Sequence, residues 1–128
     1  MRRFTRSRVR SVGHAFKGCW YALRTQRNAW LEVGVACGIF AVSIWLRLDA
    51  TGWAIIVLTT AMVFAAELLN TAVEVMLDLV SPQQHPLARI AKDVAAAAVL
   101  VAACGAVVIG LLLLGPPLMQ RLQALAAR

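Results

Sequence analysis

Between residues 4 and 23 the larger apolar side chains fall at Val9, Val12, Phe16, Cys19, Trp20 and Leu23, three or four apart, with arginines, Ser11, His14 and Lys17 between them. That spacing marks one face of an α-helix. It predicts a cationic amphipathic helix over residues 4–28, suited to the headgroup layer of a membrane rather than to a crossing. The periodicity then disappears. Residues 30–47 are apolar on every side, with Trp30 and Trp45 at the depths of interfacial anchors and Arg47 and Asp49 closing the run. A turn at Asp49-Ala50-Thr51-Gly52 leads into a second apolar helix over 53–80, which is uncharged from Trp53 to Ala66. Residues 81–92 read as a loop, because Pro82 and Pro86 each disfavour a continuous helix. A third apolar helix over 93–115 is rich in Ala and Gly, which permit close helix approach, and ends at Pro116-Pro117 before a tail of residues 116–128.

Composition agrees with this pattern. Of the 128 residues 61% are apolar and 15% charged, whereas soluble proteins carry about 45–50% and about 25%. Three crossings of roughly 20 residues leave no room for a separate soluble catalytic domain. The fold class expected is therefore an all-α membrane protein, one integral-membrane domain with a surface helix and three transmembrane helices. Eight of the 13 basic residues (Arg2, Arg3, Arg6, Arg8, Arg10, Lys17, Arg24 and Arg27) precede the first acid, Glu32. Counting Arg89 and Lys92 with these and setting Arg47, Arg121 and Arg128 against them, the positive-inside rule places the N-terminus in the cytoplasm and the C-terminus outside. Nucleic acid is not the expected partner, since the basic arm interleaves apolar residues as an interfacial helix does and no recognition fold accompanies it. Cys19, Cys37 and Cys104 show no C-x-x-C spacing and read as reduced and structural. The first long apolar run opens only near Val33, too late for a cleaved signal peptide.

The informative stretch is the second half of the second crossing. At about 100° per residue Glu67, Asn70, Thr71, Glu74 and Asp78 lie within about 60° of one line, while Leu68, Leu69, Val73 and Leu77 point elsewhere. Glu67 falls about 21 Å along the crossing from Trp53, well inside a core of about 30 Å. A carboxylate at that depth marks a functional site facing a bundle interior or an aqueous cleft. For Asp78, and by extension Glu74, a plainer reading stands equally beside this one: solvation at the helix end, or pairing with Arg89 and Lys92. Carboxylates at the lipid boundary beside a cation and open to cytosol suit phosphoryl transfer to a lipid hydroxyl. One carboxylate takes the hydroxyl proton, another holds Mg²⁺ on the nucleotide, and Lys92 offsets phosphate charge. Soluble nucleotide-binding motifs are absent, so a non-enzymatic channel or assembly protein stands as the competing class.

The same residues resemble a known family. Glu67-Leu-Leu-Asn70-Thr71-Ala72-Val73-Glu74-Val-Met-Leu-Asp78, then Ala91-Lys92-Asp93, is similar to the E-x-x-N-[ST]-A-[IV]-E-x-x-x-D and A-K-D motifs of the prokaryotic diacylglycerol kinases and undecaprenol kinases. The likeness covers nearly the whole chain except the last dozen residues. It implies a homotrimer in the bacterial inner membrane with active sites shared between subunits, transferring the γ-phosphate of ATP, with Mg²⁺, to a lipid alcohol. Diacylglycerol is the leading acceptor and undecaprenol the alternative. On this likeness Glu67 is the general base and Asn70 its polar neighbour, and Glu74 binds the metal. His14, Gln26, Glu74, Asp78, Gln83, Gln84, His85, Lys92 and Asp93 contact the nucleotide, while Glu67, Asn28, Glu32 and Ala96 meet the lipid. An N-terminal arginine reaches the phosphates, with Arg6, Arg8 and Arg10 equal candidates. The chain also departs from the family pattern. A carboxylate usual just before the first crossing is replaced in Gln26-Arg27-Asn28, where a neutral amide oxygen can ligate Mg²⁺ without neutralising it. Glu32 is the candidate to supply the missing charge, and His14 stands where Tyr is common.

Overall fold

The computed structural model describes the backbone of residues 2–81 and 85–127, with side chains from Arg10 onward within those ranges. Four helices follow one another: α1 (Arg2–Thr25), α2 (Arg27–Leu46), α3 (Ala50–Val80) and α4 (Pro86–Ala126). Among the described residues there is no strand. Helices α2, α3 and α4 are each long and apolar enough to cross a membrane. At 1.5 Å per residue, α2 with its 20 residues matches a hydrocarbon core of about 30 Å, whereas α3 with 31 and α4 with 41 outrun it.

Each helix end has an identifiable cause. Gln26 alone separates α1 from α2, its backbone extended at φ −102°, so α1 stops at Thr25, short of the expected residue 28. At the far end of α2, Arg47 adopts the left-handed conformation (φ 57°). Its N–H donates to the Ile44 carbonyl at 3.0 Å and the Leu48 N–H to the Ser43 carbonyl at 3.2 Å. This paired closure is a Schellman motif, with arginine in the position glycine usually fills. Residues Ala50-Thr51-Gly52 are not a free turn, as their pattern suggested, but the first turn of α3. Asp49 caps it by accepting from the Gly52 N–H at 2.9 Å. Gly52 has room only for hydrogen, since a Cβ there would meet the Leu48 side chain at 2.8 Å and Asp49 Oδ1 at 3.0 Å.

The largest differences from the sequence pattern both concern prolines. Helix α4 begins at Pro86, inside the stretch expected to be loop, because a proline at the first helical position gives up an N–H that has no partner there. His85 caps this start, its Nδ1 accepting from the Leu87 N–H at 3.2 Å. At the other end α4 does not stop at Pro116-Pro117 but runs through both to Ala126. Those prolines leave the carbonyls of Leu112 and Leu113 without their usual donors, a loss apolar helices tolerate when flanking turns hold. The extension is held to α2 by the Arg121 guanidinium, which lies 5.7 Å from the centre of the Trp45 ring.

Helices α3 and α4 share the most extensive interface, α2 packs against both, and α1 packs against α2 and α3. Phe40 of α2 and Trp53 of α3 meet with ring centroids 5.9 Å apart. Among the described residues few side chains are buried within one chain. The apolar ones are Ala22, Ala29 and Ile56, and the polar ones are Ser43, Glu67, Asn70 and Thr71. The interior of a single chain is therefore more polar than apolar. Large apolar residues such as Leu69, Val80, Val101 and Leu112 face outward, as expected for lipid or neighbouring helices.

Replacing Asp49 by Ala should lower stability by about 1 kcal/mol, while Asn, which keeps a capping oxygen, should retain most of it. Thermal unfolding in detergent micelles measures both. Equal losses for Ala and Asn would show that the cap is not what holds the start of α3.

Candidate functional site

The site is assembled where the α1–α2 junction meets the middle of α3. Ala22 and Ala29 flank that junction and are 1% and 0% exposed, their small side chains letting the backbone approach closely. Gln26 is the N-cap of α2 by position, yet its side chain makes no capping bond. Its Nε2 reaches across the chain to donate to Glu74 Oε2 at 2.6 Å. The other oxygen of the same carboxylate, Oε1, accepts from Asn70 Nδ2 at 3.3 Å. One carboxylate is thus gripped by two amides, one on each oxygen.

One and two turns deeper the stripe is enclosed. Glu67 is 2% exposed and Asn70 8%. The Thr71 hydroxyl donates to the Glu67 backbone carbonyl at 2.9 Å, which satisfies it without using a neighbour. Three buried oxygens lack a partner among the described residues: Glu67 Oε1, Asn70 Oδ1 and Glu32 Oε2. An unmade hydrogen bond of this kind costs about 1–3 kcal/mol. Glu67 and Asn70 thus present oxygens with unused bonding capacity from one face of α3, an arrangement able to accept a proton from a hydroxyl group, and Glu32 carries another on α2.

Toward the end of α3 the character changes. Asp78 accepts from Lys92 Nζ across the α3–α4 pair, the two side chains being 69% and 40% exposed. An ion pair this accessible contributes little to stability, and its consequence is to place an ammonium beside the last turn of α3. The pairing of Asp78 with Lys92 is the plainer of the two readings of that residue. The remaining expected residues are not drawn into the enclosed part. His14, Asn28, Asp93 and Ala96 are exposed, and His85 is occupied with capping α4. Gln83 and Gln84 lie outside the described residues, as do the side chains of Arg6 and Arg8, and Arg10 is exposed.

Among the described residues no three His, Cys, Asp or Glu side chains form a metal cluster. A Mg²⁺–nucleotide site does not require one, since Mg²⁺ is commonly held by one or two carboxylates together with substrate phosphates and water. The Glu74 carboxylate, the Gln26 amide and the unpartnered Asn70 Oδ1 supply hard oxygen donors of the right class. Sequence reasoning named these residues but missed what Ala22 and Ala29 do. Two alanines seven apart bracketing Gln26 were the available signal.

The chain that carries this stripe of carboxylates and amides has relatives in sequence. The sequence profile described as prokaryotic diacylglycerol kinase matches residues 13–114. The chain belongs to that family. Over 109 residues it is 41% identical to the undecaprenol kinase of Bacillus subtilis (strain 168), covering 85% of this chain and 89% of that protein. It is 44% identical over 111 residues to the diacylglycerol kinase of Synechocystis sp., covering 86% of this chain and 63% of that protein. To the diacylglycerol kinase of Escherichia coli (strain K12) it is 33% identical over 112 residues, 87% of this chain and 90% of that protein. Family membership together with three membrane-length helices makes this chain a membrane lipid kinase.

The Gln26–Glu74 bond ties the α1–α2 junction to α3, so Gln26→Ala and Glu74→Ala should be coupled. A hydrogen bond to a charged partly buried group predicts a coupling of about 1.5 kcal/mol in a double-mutant cycle read by thermal unfolding. Strictly additive losses would show that this bond does not hold the junction.

Proposed function

We propose that this chain, as a homotrimer in a bacterial inner membrane with its N-terminus cytoplasmic, transfers the γ-phosphate of ATP to the hydroxyl of a membrane lipid alcohol. The acceptor is diacylglycerol, giving phosphatidic acid. The observation that carries the reading is Glu67: a carboxylate buried within a membrane-length helix, with an unpartnered oxygen, on the same helix face as Asn70 and Glu74. The spans are residues 30–47, 53–80 and 93–115, with α1 on the cytoplasmic surface. The outward-facing apolar residues of α2, α3 and α4 support association with further copies.

In this reading Glu67 accepts the hydroxyl proton as the lipid oxygen attacks the γ-phosphorus and ADP leaves. Asn70 orients the neighbouring groups through its bond to Glu74. Glu32, Asn28 and Ala96 border the lipid. Glu74 and Gln26 hold Mg²⁺, which when bound neutralises charge on the nucleotide phosphates. Lys92 adds a second positive charge, positioned by Asp78, while Asp93, His85, Gln83, Gln84 and His14 contact the rest of the nucleotide. Undecaprenol is a second acceptor worth equal testing, because the undecaprenol kinase of Bacillus subtilis aligns over 89% of its own length.

Purified protein in mixed micelles, given γ-labelled ATP with diacylglycerol or undecaprenol, with and without Mg²⁺, should move label into one lipid in a Mg²⁺-dependent way. Absence of label in both, from folded protein, would overturn the assignment in favour of a channel or assembly role. Glu67→Gln should cut the rate by about 10²–10⁴-fold with nucleotide binding retained, and an unchanged rate would remove Glu67 as the base. Glu74→Ala should raise the Mg²⁺ concentration needed for half-maximal rate. A titration that does not move would place the metal elsewhere.

A further inference from the structure

The clamp on Glu74 bears on when a cation can enter. Both oxygens of this carboxylate already accept a hydrogen bond from an amide, Gln26 Nε2 at 2.6 Å and Asn70 Nδ2 at 3.3 Å. No second carboxylate takes part in these bonds. Asp78, one turn further on, is paired with Lys92. Glu67 lies seven residues, about 10 Å of helix, deeper in the stripe. The described residues hold no cluster of three acids, histidines or cysteines that could bind a metal by themselves.

A divalent ion surrenders water reluctantly and needs compensating negative charge. At Glu74 it would find one carboxylate whose charge is already shared with two donors. The phosphates of a nucleotide supply what is missing, both oxygens and charge. A half-turn of the Gln26 amide then exchanges its donor for its carbonyl oxygen and converts the group that satisfied Glu74 into a ligand beside it.

We propose that Gln26 makes Glu74 a site that admits a divalent cation only together with nucleotide phosphates, so the free protein takes up no metal there. This rests on the reading of Glu74 as the metal residue. It assigns Gln26 a role in the order of binding: the amide keeps the carboxylate satisfied and the α1–α2 junction docked while the site holds no nucleotide.

Equilibrium dialysis of the full chain in lipid micelles tests this, with Mn²⁺ as the probe and a non-hydrolysable ATP analogue present or absent. Wild-type protein should retain no excess Mn²⁺ alone and should retain it when the analogue is added. Gln26→Glu, which places a second carboxylate beside Glu74, should hold Mn²⁺ without the analogue, at least about tenfold more tightly than wild type. Wild-type retention of Mn²⁺ without analogue, abolished by Glu74→Ala, would overturn the proposal while leaving Glu74 as the metal residue. No retention even with the analogue would overturn both. Should Gln26→Glu lose its helical circular dichroism, the wild-type comparison with and without analogue decides by itself.

Discussion

A carboxylate inside apolar helices must be satisfied by something, and in this chain that requirement falls on the short span between Glu67 and Glu74. Among the described residues the chain buries four polar side chains and three apolar ones. Two of the polar ones, Ser43 and Thr71, close onto the backbone of their own helix at 2.8 Å and 2.9 Å, which is inexpensive. Glu67 and Asn70 are different, because each keeps an oxygen with no partner among the described residues. A fold selected for stability alone would place apolar groups there. Functional sites are where such local conflicts are expected.

The rest of the fold fixes that stripe in place. Asp49, the Schellman closure at Arg47 and the His85 cap settle three of the helix ends with local hydrogen bonds. The start of α2 is treated differently. Gln26 occupies the capping position, forgoes the cap and reaches Glu74, 48 residues along the chain. A helix N-terminus thus gives up local stabilisation of about 1 kcal/mol so that a surface helix and a spanning helix are registered against the polar face of α3.

Much of this was legible in the sequence because it is local. A 3.6-residue period gave α1, uniform apolarity gave the three long helices, and angular arithmetic placed Glu67, Asn70, Thr71 and Glu74 on one face. The prolines misled in both directions, since proline marks a helix boundary without saying on which side of it the helix lies. Pro86 starts α4 rather than belonging to a loop, and Pro116-Pro117 are absorbed within it. Gln26 could be seen as a departure from the family pattern, and its amide as a ligand. That its nitrogen already holds Glu74 depends on helices packing across 48 residues of separation, which no local pattern encodes.

The stripe is also a gradient, and the chemistry depends on it. Over the 11 residues from Glu67 to Asp78, about 16 Å of helix, the side chains pass from buried to exposed. A lipid hydroxyl reaches its reaction partner from the bilayer and a nucleotide reaches it from water, so neither a wholly buried nor a wholly solvated row of carboxylates would serve both. At the buried end a carboxylate keeps an oxygen with spare bonding capacity, shielded from water. At the exposed end a solvent-accessible ion pair such as Asp78–Lys92 can reorganise around phosphate at small cost. Glu74 lies between them with both carboxylate oxygens held by amides, the carboxylate of the stripe that is neither orphaned nor solvated, and in the proposed reaction it is the point where the two halves meet.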